Sequence, residues 1–149
     1  MSTTAAEAAA ELAAMRASQA RLAAAANCPP ARHFAFAGLL GALVATPALS
    51  LTGAIVAEAF IVAGIALVIR WDRRRTGMFI NGYRAGRTRP LTFAMLAIVL
   101  GLYTASFWLS RGRDIHWAPL PLAALAALLG CNMSKIWQRI FLRELGVDA

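Results

Sequence analysis

Apolar residues in this chain come in long blocks rather than in alternating runs, and nearly all the charge falls between the blocks. From His33 to Ile69 there are 37 residues with a single charge, Glu58. One straight helix of that length would measure roughly 55 Å, against about 30 Å of bilayer hydrocarbon. The block must therefore fold back on itself, and Pro47, Ser50, Thr52 and Gly53 mark the place. Two membrane spans are predicted, at about 33–50 and 52–70. A third follows at about 90–110, with Pro90 suited to its first turn. The link RGRDIH leads to a fourth at about 115–134, with Pro119 and Pro121 near its start.

What flanks the blocks is also helical in pattern. Residues 3–26 are alanine-rich and free of Gly and Pro, which predicts one helix. Leu12, Met15, Gln19 and Leu22 give it a thin apolar stripe, while Glu7 and Glu11 early and Arg16 and Arg21 late suit the helix dipole. Asn27-Cys28-Pro29-Pro30 ends it. Such a helix fits a surface role, or a coiled-coil or membrane-surface contact. The long polar leader also argues against reading the first apolar block as a signal peptide, although PALS resembles a cleavage site. Residues 135–149 form an amphipathic tail, with Ile136, Ile140 and Leu145 opposite Lys135, Arg139 and Arg143. The expected organisation is an N-terminal helix in 1–30, a four-span domain in 31–134 and a tail in 135–149. In fold class this is an all-α polytopic membrane protein of two antiparallel hairpins.

Composition agrees and removes one alternative. Sixty per cent of residues are hydrophobic and only 15% charged, against about 25% charged in soluble domains. The mean hydropathy is +0.61, and the sequence pI near 11.3 would point to nucleic acid in a soluble protein. Here the basic residues lie beside apolar blocks. Thirteen of the fifteen fall before the first block, in residues 70–89 or in the tail, and only Arg111 and Arg113 fall in a link on the other side. By the positive-inside rule both termini and the 71–89 loop face the cytoplasm, in a multi-pass arrangement within the cytoplasmic (inner) membrane. Trp71, Trp108, Trp117 and Trp137 lie near span ends, as an aromatic belt requires. No nucleic-acid partner is expected.

The basic loop is denser than orientation requires. Arg70, Arg73, Arg74, Arg75, Arg84, Arg87 and Arg89 surround Met78, Phe79, Ile80 and Tyr83, with a turn signal at Asn81-Gly82. Besides anchoring topology, such a loop can dock anionic lipid headgroups or a protein partner, each cation gaining about 1 kcal/mol at an anionic surface.

Inside the spans the one ionisable group is Glu58. A carboxylate costs about 2.5–3.5 kcal/mol at the centre of a span, so a role is the default expectation. Glu58 stands roughly 10 Å below the outer end of its span, the depth at which Tyr103 and Thr104 lie on the third. A hydrogen bond from either would satisfy the carboxyl and tie the two hairpins together. Small residues (Ala37, Gly38, Gly41 and Ala45; Ala57 and Gly64; Ala123, Ala124, Ala126 and Ala127) recur at spacings that let helices approach closely. Gly101 on the third span is open to the same reading.

Enzymatic signals are lacking. His33 and His116 fall at opposite faces, Cys28 and Cys131 lack metal-ligand spacing or a disulfide framework, and no GxSxG, HExxH, Walker or CxxC motif occurs. No cofactor or metal is expected. The expectation is a non-enzymatic membrane protein that acts by association, as an accessory or scaffold subunit or a homo-oligomer, in contact with anionic lipid. The alternative is a small transporter or channel using Glu58.

Overall fold

The computed structural model describes residues 4–26, 29–76, 86 and 88–144, with the side chains of 22–26 and 75–76 outside that set. The described residues form helices and no strand: α1 (Ala5–Ala26), α2 (Pro30–Ala45), α3 (Leu51–Thr76), α4 (Thr88–Phe107) and α5 (Pro119–Glu144). A π-helical turn, Trp108–Gly112, lengthens α4. Three stretches are long and apolar enough to cross a membrane: Leu51–Arg74, Thr88–Gly112 and Pro119–Glu144.

α1 begins in a reciprocal cap. The Thr4 backbone N–H donates to Glu7 Oε2 at 2.7 Å, and the Glu7 N–H donates to Thr4 Oγ1 at 3.4 Å. The backbone bond from Thr4, and next the Thr4 hydroxyl, hold the Glu7 carboxyl below its ordinary pKa. From Thr4 to Arg21 every side chain is exposed, Leu12 and Met15 included. Leu12, Met15 and Gln19 of the apolar stripe are therefore not packed into the bundle.

The most extensive packing joins α2 to α5, not a pair adjacent in sequence. These two helices run antiparallel in a register read from three levels. His33 meets Ser134 at one end, Ala37 faces Gly130, and Gly41 faces Ala127 and Ala123. Small residues make this closeness possible. A Cβ on Gly41 would stand 3.1 Å from the Ala123 carbonyl oxygen and 3.2 Å from the Ala127 Cβ. Without a hydrophobic driving force between helices in lipid, such van der Waals closeness is a main source of association. α3 packs on α2 and α4 packs on α5, with α2 touching both.

Among the described residues the buried apolar set is small: Ala37, Val44, Ile61, Val99, Ala118, Ala126 and Phe141. The larger apolar side chains point outward instead. On α3 alone, Leu51, Ile55, Val56, Phe60, Val62 and Leu67 are exposed. A continuous apolar exterior around a lean, small-residue interior suits lipid as the surrounding solvent.

Helix ends differ from the expected spans in two informative places. The α-helical part of the first block stops at Ala45, followed by a single 3-10 turn, Thr46–Ala48. Pro47 has no N–H to continue the ladder, and the Thr46 hydroxyl donates back to the Leu43 carbonyl at 2.9 Å. Ser50 then caps α3, its Oγ accepting the Gly53 N–H at 3.2 Å. At the other end of the chain, α5 starts at Pro119 and runs without interruption past Ser134 to Glu144. The described part of the tail is thus the last turns of a membrane-length helix.

Candidate functional site

Of the polar side chains inside the apolar blocks, Glu58 and Tyr103 meet each other. The Tyr103 hydroxyl donates to Glu58 Oε1 at 3.4 Å, a long hydrogen bond between two half-buried side chains on α3 and α4. Thr104 does not join them; its hydroxyl donates to the Leu100 carbonyl of its own helix at 2.8 Å. Two other polar side chains in these blocks behave as Thr104 does. Thr92 donates to the Thr88 carbonyl at 3.2 Å and Asn132 to the Leu128 carbonyl at 2.8 Å, each one turn back. Ser106, fully buried, donates across to the Val44 carbonyl at 2.7 Å.

That last contact belongs to a clamp on the α2–α3 connection. Ser110, one turn beyond Ser106, donates to the Pro47 carbonyl at 2.9 Å, and the Arg111 guanidinium donates to the Leu49 carbonyl. The end of a helix leaves carbonyls without intrahelical partners. Here one face of α4 and its π-turn supplies donors to three carbonyls in succession. The sequence reading gave Ser106, Ser110 and Arg111 no such part. The signal was present in the spacing of two serines four apart on one helical face, opposite a predicted turn. The α4–α5 link beside the clamp contains Asp114 at φ 56°, a left-handed conformation that Asp tolerates better than most residues. Arg113 there lies 4.8 Å over the Trp108 ring.

The opposite end of the bundle is basic. Arg32 Nε and Asp72 Oδ2 pair at 2.8 Å, joining α2 to α3 with both side chains more than four-fifths buried. His33 Nδ1 and the Ser134 hydroxyl share a hydrogen bond of 2.7 Å between α2 and α5. Trp137 and Phe141 stack at 5.2 Å. Arg32 lies over Phe36 at 5.6 Å and Arg89 over Phe93 at 5.7 Å, aliphatic stems along the apolar wall. The two pairings between helices, Arg32 with Asp72 and His33 with Ser134, escaped the sequence reading, because nothing in one sequence says which helix stands beside which.

Of the seven arginines expected to dock headgroups or a partner, Arg70, Arg73 and Arg74 are exposed along the end of α3. Together with Ala66 and Ile69 they line a shallow open groove. Arg89 is exposed at the start of α4. Arg84 and Arg87 lie outside the described residues, as do the Arg75 side chain, the Asn81-Gly82 turn with its apolar neighbours Met78, Phe79, Ile80 and Tyr83, Cys28 and Leu145. His33 and His116 stand at opposite ends, the latter exposed in the α4–α5 link. Cys131 is a free, half-buried thiol on α5. No group of three metal-ligating side chains occurs among the described residues.

No protein-family model, curated protein or solved structure matches this chain.

Proposed function

We propose that the chain is a non-enzymatic integral membrane protein that acts by association, as an accessory or scaffold subunit of a membrane complex or as a homo-oligomer. α2 serves as a fourth crossing in this reading. From Pro30 to Ala48 its helix and 3-10 turn rise about 30 Å, the thickness of the hydrocarbon core. The four crossings alternate as two hairpins in the cytoplasmic (inner) membrane. Both termini and the basic end face the cytoplasm, following the charge asymmetry.

One observation carries the preference for association over transport. Of the polar side chains within the apolar blocks, Thr46, Thr92, Thr104, Ser106 and Asn132 all donate to backbone carbonyls. A path for ions or solutes needs polar groups turned toward one another across a gap, and here they are turned onto the framework. What the chain offers outward is apolar helix surface, the exposed α1 and a basic rim. The test is extraction of native membranes into lipid nanodiscs, then mass spectrometry of the intact assembly. A fixed-ratio complex with another membrane protein, or a defined homo-oligomer, is expected; a monomer carrying only lipid would overturn the reading.

A second reading, a small transporter or channel, is favoured by the Glu58–Tyr103 contact alone. Proton flux into vesicles containing the purified chain, followed with an entrapped pH-sensitive dye, separates the two. Under the association reading Glu58→Gln preserves the hydrogen bond from Tyr103 and leaves both assembly and background leak unchanged. A wild-type flux that Glu58→Gln abolishes, with assembly intact, would establish transport.

A further inference from the structure

The exposed end of α3 combines two chemistries on one face. Arg70, Arg73 and Arg74 stand at spacings of three and four residues, which places them on neighbouring positions around the helix. Ala66 and Ile69, one turn earlier, form the apolar floor of the same groove. Beyond them Val62 continues the apolar face in the direction of the bilayer centre. The groove thus passes from an apolar strip into a cluster of guanidinium groups at the end of a membrane-length helix.

We propose that this groove binds an anionic phospholipid, its phosphate held by Arg70, Arg73 and Arg74 and the start of an acyl chain lying along Ala66, Ile69 and Val62. The fit is one of charge and of order along the helix. Guanidinium forks match phosphate oxygens in geometry as well as sign. A free phosphate would use the arginines and leave the apolar strip unoccupied; an acidic peptide would meet the apolar strip at a depth where its own backbone could not be satisfied. A phospholipid uses both parts at their natural depths. The inference rests on the membrane-embedded reading and narrows its lipid contact to one groove; it does not depend on the chain having a protein partner.

The experiment measures binding of fluorescent phosphatidylglycerol to the purified full-length chain in nanodiscs of neutral phosphatidylcholine. Each cation at an anionic surface is worth about five-fold in binding, so Arg70→Gln/Arg73→Gln/Arg74→Gln should weaken it on the order of a hundred-fold. Lys135→Gln/Arg139→Gln/Arg143→Gln removes the same charge from α5 and should leave it unchanged. Ala66→Trp, on an exposed face, keeps every charge but fills the groove and should also weaken binding. Inorganic phosphate should fail to displace the lipid. Equal losses in the two triple variants would reduce the cluster to general positive charge and overturn the proposal, as would full displacement by phosphate. Should the first triple variant lose its helix content, Ala66→Trp decides: undiminished binding there overturns the site. Intact-mass analysis of the same samples reports assembly separately, so loss of the lipid site and absence of a partner are read independently.

Discussion

Gly41 and Gly38 are one turn apart on α2, and the sequence treats them alike as small residues in a span. Their surroundings differ. A Cβ on Gly41 meets a backbone carbonyl and a second Cβ, neither of which can swing aside, while a Cβ on Gly38 finds nothing within 4 Å. Gly41→Ala is therefore expected to part α2 from α5 slightly and cost about 1 kcal/mol, the low end for overpacking. Gly38→Ala should be neutral or stabilising by up to about 1 kcal/mol, because alanine restricts the unfolded backbone. Unfolding of both variants in detergent, followed by circular dichroism, checks the pair; equal effects would mean that the α2–α5 register is wrong. Gly130 differs again, since its closest neighbour is the movable end of Leu40. Small-residue spacing was legible in the sequence, but which glycine is pinned depends on a facing helix that spacing does not identify.

Among the elements, α1 depends least on the rest of the molecule. Its cap uses the charged form of Glu7, and the hydrogen bonds from Thr4 lower that group's pKa in the folded chain. A carboxyl with a depressed folded pKa contributes stability above its unfolded pKa and loses it as pH falls through the folded value. Helicity of α1 should accordingly be constant near neutral pH and decline on acidification below the ordinary carboxylate range. Glu7→Gln should remove most of that decline, while the rest of the bundle is unaffected. Backbone amide exchange over residues 5–12 across a pH series tests this. The existence of α1 was readable from alanine content and the absence of breakers. The Thr4-x-x-Glu7 cap went unread, although its signature lies within four consecutive residues. The α2–α5 pairing was not readable, since its contacts join residues about a hundred positions apart.

At the scale of the whole molecule, apolar block length and charge placement carried the reading as far as an all-helical chain with membrane-length helices. Blocks and breakers are local properties, and so is the fold-back at Pro47. The contact between Glu58 and Tyr103 was reachable because depth along two helices can be counted in residues; the turning of Thr104 onto its own backbone was not, because rotation about a helix axis is set by packing. The unequal heights of the helices have a consequence for the bilayer itself. The apolar part of α2 begins at Phe34, and from there to Ala48 it rises about 24 Å, against about 28 Å for Leu51–Ile69 on α3. Phe34, Gly38 and Ala42 expose one narrow face of this short column. In the four-span reading, lipid against that face must compress by about 6 Å, at a cost of fractions of a kcal/mol per Å. The chain should then be most heat-stable in bilayers of short acyl chains and lose stability steadily as the chains lengthen, and in a membrane of mixed thickness it would collect where the membrane is thin.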